Sequence, residues 1–350
     1  MDRRECWLRS VMITGGNRTH RLRAEKKQPP FRSAAAESGK LRSSARMAAN
    51  SEKPSFETFQ LFSSSDTSGL GFLDSPETPL PPPPPCVEVL SSEISSSVKY
   101  TVEPVNLGGL TLLKGRVNTQ EVFGLSNSDL VPGKYEGGLK IWEGSLDLVK
   151  ALCSEVKSGS LSFSEKRVVE LGCGHGLPGI FACLEGAAAV HFQDFNAEVI
   201  RCLTIPNVKA NLSEKNGPLA THAKNSGEVR FFAGDWSEIH KLLPHVQDNE
   251  KDLHYSSEQS QVAGYDIVLM AETVYSISTL QSLYELIKKC TICRHGVVYM
   301  AAKKHYFGVG GGTRRFLSLV EKDGVMAANL VAEVADGSSN VREVWKLSFR

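Results

Sequence analysis

The sequence predicts an α/β fold: a parallel sheet with alternating helices that ends in an antiparallel hairpin and follows a disordered tail. Three observations predict it. Residues 167–179, RVVELGCGHGLPG, run from an apolar strand through glycines at 172, 174 and 176 into a helix opened by Pro178. Downstream, short apolar runs alternate with stretches of helical spacing. The C-terminal LVAEVADGSSNVREVWKLSFR is two alternating runs joined by a turn-rich D-G-S-S-N, a hairpin by spacing.

Residues 1–46 carry about a dozen Arg or Lys against four acids, with little apolar periodicity. They suit a disordered upstream extension or an organelle transit peptide, and Asp2, Glu5, Glu25 and Glu37 count against the second. Met47 opens MAANSEKPSFETF, an ordinary start for a cytoplasmic or nuclear protein, and that location is expected. Residues 48–98 are rich in Ser, Pro, Asp and Glu and include five consecutive prolines at 81–85. That run is stiff polyproline II, either a spacer or a ligand for a proline-binding module. The tail is expected to span 1–98 and the folded domain 99–350, with order beginning near Tyr100.

Inside the domain, Gly137 and Gly138 precede an amphipathic helix with apolar residues at 146, 149, 152 and 153. Trp142 and Glu143 stand at its start, either as a staple and a first-turn charge or as a wall of a ligand site. AAAVHFQD is a second strand ending at Asp194, and the helix after it is expected to kink or restart at Pro206. EVRFFAGDW is a third strand closing on Gly234, Asp235 and Trp236. The polar stretch 245–263 reads as a surface insertion. YDIVLMAE is a fourth strand, buried on both faces by its continuous apolar run. SISTLQSLYELIKKC is a helix with Ser276 or Ser278 as cap. GVVYMAA is a fifth strand, and KKHYFGVGGGTRRFL a glycine-bearing loop into a further helix.

Composition narrows the function. The net charge of +1 over 350 residues argues against a wide basic face, so no direct nucleic-acid readout is expected. No apolar stretch approaches the roughly 20 residues of a membrane span. Eight cysteines lack regular spacing. The only CxxC, Cys290 and Cys293, lacks the second ligand pair of a structural zinc site, so reduced thiols and no metal are expected.

The glycine turn lets a backbone approach a nucleoside-type cofactor. Gly174, Gly176 and Gly179 fit a dinucleotide fingerprint, with Asp194 roughly 20 residues on for ribose hydroxyls. Glu170, two residues before the first glycine, gives E-x-G-x-G-x-G, which resembles motif I of the seven-strand S-adenosylmethionine-dependent methyltransferases. The C-terminal hairpin fits that Rossmann-like sheet, whose seventh strand inserts antiparallel, better than a repeated strand-helix unit.

Three stretches, YEGGLKIWEGSLDL, MAETVY and HYFGVGGGTRRF, together resemble the eukaryotic protein-histidine methyltransferases over about residues 104–350. The resemblance implies S-adenosylmethionine as cofactor and transfer to the distal ring nitrogen of a histidine in a large-subunit ribosomal protein. A monomer with no membrane partner is expected. The resemblance also implies cofactor contacts from Ile141, Trp142, Glu143, Gly144, Ser145, Glu170, Gly172, Gly174, Asp194, Phe195, Asn196, Gly234, Asp235, Trp236 and Ala271. Ala271 stands where relatives often carry serine, and Gly144 where many carry cysteine. The nearest alternatives in the larger group methylate lysine, and a non-catalytic S-adenosylmethionine-binding ribosome-assembly factor is a third reading.

Glu272, just past the fourth strand, is the candidate acceptor for the ring N–H of a substrate histidine, or else a carboxylate capping the next loop. Glu143 is otherwise a first-turn charge and Trp236 a core residue. Gly310, Gly311 and Gly312 lack the Lys and Ser/Thr of a phosphate loop and read as a flexible lip over the substrate.

Overall fold

The computed structural model describes residues 82–350 apart from 127, 214–226, 247–263, 294, 336 and 338–339. The tail before residue 82 and most of the expected insertion at 245–263 therefore lie outside the described residues.

Ten strands and seven helices follow one another: β1 (Val87–Val89), β2 (Thr101–Asn106), β3 (Thr111–Arg116), α1 (Thr119–Phe123), α2 (Glu143–Lys157), β4 (Arg167–Leu171), α3 (Leu177–Leu184), β5 (Ala189–Asp194), α4 (Ala197–Val199), α5 (Ile205–Leu212), β6 (Glu228–Ala233), β7 (Ile267–Ala271), α6 (Leu280–Cys290), β8 (Val297–Lys303), α7 (Thr313–Asp323), β9 (Met326–Val334) and β10 (Arg342–Phe349), counted among the described residues. Eight strands make one sheet in the order β1-β6-β5-β4-β7-β8-β10-β9. β4 to β8 run parallel, and β10 inserts antiparallel between β8 and β9. From β4 the chain builds outward to β6, then returns to β7 on the other side. That reversal puts a crevice beyond the carboxyl ends of β4 and its neighbours, where open α/β sheets bind ligands.

The strands alternate between two cores. Val168, Val190 and Phe192 pack with Leu148 of α2, Ile180 of α3 and Ile205 of α5. Val169, Leu171 and Phe232 pack on the opposite face with Leu283 of α6 and Phe316 of α7. The continuous apolar runs of the central strands are thus explained by helices on both faces.

Three local expectations change. Order begins before Tyr100: Val87–Val89 adds an antiparallel edge strand to β6, burying Val89 and pairing Glu88 with Arg230 through two bonds of 2.7 Å. A tripeptide beside a proline run carries too little periodicity to read as a strand. The chain restarts at Pro206 as expected, but through a wide π turn over Ile200–Thr204, which accommodates the missing N–H of Pro206 at the second position of α5. Neither serine caps α6. The Ser276 and Ser278 hydroxyls bond each other at 2.9 Å, and a 3₁₀ turn over Ile277–Thr279 leads into the helix.

Candidate functional site

A solvent-open cavity of about 830 Å³ lies beyond the carboxyl ends of β4, β5, β6 and β7, against residues 136–145. Of the residues expected from the sequence, Ile141, Trp142, Ser145, Glu170, Gly172, Gly174, Asp194, Phe195, Gly234, Asp235, Trp236, Ala271 and Glu272 line it. Three lie off its wall. Glu143 is exposed in the first turn of α2, as a helix-terminal charge would be. Gly144 is buried behind the wall and donates its N–H to Glu272 Oε1 at 3.1 Å. Asn196 works from behind: its amide donates to the Lys134 carbonyl at 2.9 Å, and its Oδ1 accepts from Glu136 N at 3.1 Å, which ties the 134–136 segment to the end of β5.

The glycine turn is required by the protein's own packing as well as by room for a ligand. A Cβ on Gly174, whose φ is +47°, would stand 2.9 Å from the Gly138 carbonyl oxygen. One on Gly179 would stand 2.4 Å from the Phe192 ring and 2.7 Å from Glu170 Oε2, closing the gap between α3 and β5.

Two carboxylates organise the cavity floor. Glu170 Oε2 accepts the Gly179 N–H at 2.8 Å, and burial holds its pKa well above the usual carboxylate range. That bond occupies the first turn of α3, the place where a dinucleotide's pyrophosphate would sit, and puts an acid there instead. Asp194 Oδ2 accepts from Gly174 N at 2.9 Å and Oδ1 from Asn196 N at 3.0 Å. Burial pushes its pKa up to about 6 against those two bonds, with Glu136 adding to the rise. With Glu136, Asp235 and Glu272, five carboxyl groups face the cavity beside a single lysine, Lys140. Such a lining suits a cationic ligand and opposes a pyrophosphate.

At the mouth, Glu272 has a left-handed backbone, φ +58°, rare outside glycine and a mark of a position fixed by its surroundings. Oε1 takes the Gly144 N–H, and Oε2 takes the Tyr306 hydroxyl. Burial raises its pKa, opposed by Tyr306, by the Lys303 charge and by Gly144. Across the mouth Tyr275 donates to Glu136. The Trp142 ring, its Nε1 on the Gly137 carbonyl at 3.0 Å, lies under the ammonium groups of Lys140 and Lys303 at 4.5 and 5.4 Å. The expected glycine lip is fastened: Gly311 and Gly312 donate to the carbonyls of Tyr275 and Val274 at 2.9 and 2.8 Å.

Several residues on the wall or just behind it were not expected from the sequence. Gln193 donates to the Gly234 carbonyl at 2.9 Å and accepts from Trp236 Nε1 at 3.0 Å and Gly172 N at 3.3 Å, joining three strand ends. A lone glutamine inside an apolar strand was its only signal. Glu136, Tyr275 and Tyr306 stood in quoted motifs without a role. Thr273 Oγ1 is buried and has no hydrogen-bond partner among the described residues.

A protein-family profile described as lysine methyltransferase matches residues 132–323, more than half of the chain and all the cavity walls. The chain belongs to this methyltransferase family. It is 38% identical over 224 residues to the histidine protein methyltransferase 1 homolog of Dictyostelium discoideum, covering 64% of this chain and 62% of that protein. It is 37% identical over 237 residues to the rat homolog, covering 64% and 60%. A mouse EEF1A lysine methyltransferase 3 is 25% identical over 165 residues, 47% of this chain and 55% of that protein. The chain thus spans about three-fifths of the length of the histidine relatives.

The cofactor of this methyltransferase family is S-adenosylmethionine, and the residues present fit it. The acidic lining opposes an anionic ligand, Asp194 offers acceptors for ribose hydroxyls, and the orphaned Thr273 Oγ1 is a buried polar atom at the cavity wall in need of a partner. Trp142 and Trp236 supply apolar faces for the rest.

Proposed function

We propose that this chain transfers the methyl group of S-adenosylmethionine to a histidine side chain of a protein, the distal ring nitrogen of a large-subunit ribosomal protein histidine being the target the sequence resemblance implies. The observation that carries this reading is Glu272, a buried carboxyl held at the mouth by Gly144 and Tyr306. Each carboxylate oxygen has two lone pairs and receives one donor, so each keeps capacity for a further one.

The bound cofactor supplies a methyl already activated on a sulfonium, so the acceptor has to be neutral, aligned and shielded from water. An imidazole with a pKa near 6.5 is mostly neutral at pH 7, whereas a lysine near 10.4 must give up its proton at a cost of about 4–5 kcal/mol. Glu272, accepting the other ring N–H, would select which nitrogen presents its lone pair. Tyr306 and Gly144 hold the carboxylate in one orientation for that purpose.

The family description and the EEF1A relative favour lysine as the second reading. Recombinant chain incubated with methyl-labelled cofactor and a ribosomal protein extract, followed by mass spectrometry, separates the readings. Label on a histidine ring is the expected result. Label on lysine would install the second reading, and cofactor binding without label in any protein would leave a non-catalytic binder.

A further inference from the structure

On the sheet face that packs against α6, away from the cavity, three donor groups converge. His191 stands in the middle of β5 with no exposed surface, Glu228 opens β6, and His245 follows the 3₁₀ turn Ile239–Lys241. One ligand-type atom from each lies within 4.8 Å of the others. The two imidazole rings stack with centroids 5.3 Å apart and planes 4° from parallel. Each Nε2 is buried and has no hydrogen-bond partner among the described residues. Two such atoms on neighbouring rings run against the rule that buried polar groups are paired.

We propose that His191, His245 and Glu228 form a zinc site, with the fourth position left to water. Two imidazoles and one carboxylate are a zinc donor set, whereas calcium and magnesium call for all-oxygen sites. His191 Nδ1 lies 2.8 Å from the Tyr265 hydroxyl. With Nδ1–H donated to that oxygen, Nε2 carries the lone pair, the outer-shell arrangement by which metal-bound histidines are oriented. Arg230, whose Nη1 is 3.6 Å from Glu228, is itself paired with Glu88 through two 2.7 Å bonds, which offsets its charge. Glu228 Oε1 is 4.0 Å from His191 Nε2, and its half-exposed side chain is free to close to the roughly 3.3 Å donor spacing that zinc bonds of about 2.0–2.1 Å set in a tetrahedron.

The consequence is structural. The His245 carbonyl accepts the Gly264 N–H at 2.6 Å, so these two residues form a neck just before β7. A zinc ion would pin that neck to β5, three residues before Asp194.

The test uses the full chain, stripped with a chelator and titrated with zinc, and in parallel with cobalt as a spectroscopic probe. One ion per chain, a raised thermal midpoint and the ligand-field bands of four-coordinate cobalt are expected. H245Q and E228Q each remove a donor from a partly exposed position, so folding should survive, as unchanged S-adenosylmethionine affinity would confirm. Both variants should weaken the metal by more than the roughly 10- to 100-fold cost of losing an outer-shell partner, and Tyr265→Phe by about that cost. Zinc bound equally well by H245Q and wild type would overturn the proposal and move the ion to thiols such as exposed Cys293. No binding and no thermal shift would equally overturn it and leave the two rings bridged by water.

Discussion

The floor of the cavity and its mouth are built in different ways. On the floor, Glu170, Gly174, Asp194 and Gly234 come from the ends of parallel strands and the turns directly after them, and backbone N–H groups satisfy the acids. At the mouth, Glu272 meets Gly144 across 128 residues and Tyr275 meets Glu136 across 139. The floor is a local device that a fold can carry to many substrates. The mouth exists only once distant segments have docked, which is where a particular acceptor can be selected.

The contrast is sharpest if damage to each half stays in its half. Asp194→Ala should weaken S-adenosylmethionine by about a hundredfold or more, since charge-assisted bonds to two ribose hydroxyls are worth roughly 1.5–3 kcal/mol each. Asp194 also ties Gly174 and Asn196, so the fold will not be indifferent. Two orphaned N–H groups cost about 1–3 kcal/mol apiece, offset in part by removal of a carboxyl that burial disfavours. Calorimetry of cofactor binding with a parallel thermal melt reads both effects. Near wild-type affinity in a folded variant would make Asp194 a loop tie and nothing more.

The mouth should respond through rate. Glu272→Ala is expected to lower single-turnover methylation by roughly 10- to 100-fold, in the range of one positioned hydrogen bond, with cofactor affinity changed by less than about threefold. Glu272→Gln keeps an acceptor oxygen and should lose less. An equal loss of cofactor binding in both variants would merge mouth and floor into one unit.

The same contrast explains what could be read from the sequence. Strand-turn-glycine units announce themselves by apolar runs and fixed spacing, so β4 to β8, the hairpin of β9 and β10, and the floor residues were legible. Gln193 and Glu136 were not, because a polar residue shows its role only when its partners are known, and those lie 41 and 139 residues away. His191 was illegible for the same reason: its neighbours come from β6 and from the segment after it.

A smaller effect concerns the other end of the sheet, where β1 covers β6. Removing residues 1–99 would expose the Val89 site and leave Arg230 without Glu88. Burial of one valine is worth about 1.5–3 kcal/mol and a part-exposed ion pair up to about 1 kcal/mol, so about 2–4 kcal/mol should be lost. For a domain of this size that lowers the thermal midpoint by several degrees. Cofactor affinity should fall only slightly, through Cys86 packed beside Gly234. An unchanged midpoint would return β1 to the tail.

The finest test is pH, because floor and mouth titrate with separable signs. The folded pKa of Asp194 near 6 stands above its unfolded value of 3.8. The stability linked to it is therefore fully present below about pH 3.8 and is lost as pH rises through 6. Cofactor affinity runs the other way: ribose hydroxyls need the ionised carboxylate, so binding should strengthen as pH rises through 6 and weaken by up to about tenfold at pH 5. At saturating cofactor the floor drops out, and the acceptor remains. A histidine acceptor with a pKa near 6.5 gives a single-turnover rate that climbs from pH 5.5 and levels by about 7.5. A lysine acceptor keeps climbing toward pH 9. A rate that rises about tenfold between pH 7.5 and 8.5 under chemistry-limited turnover would overturn histidine at the mouth while leaving the floor as described.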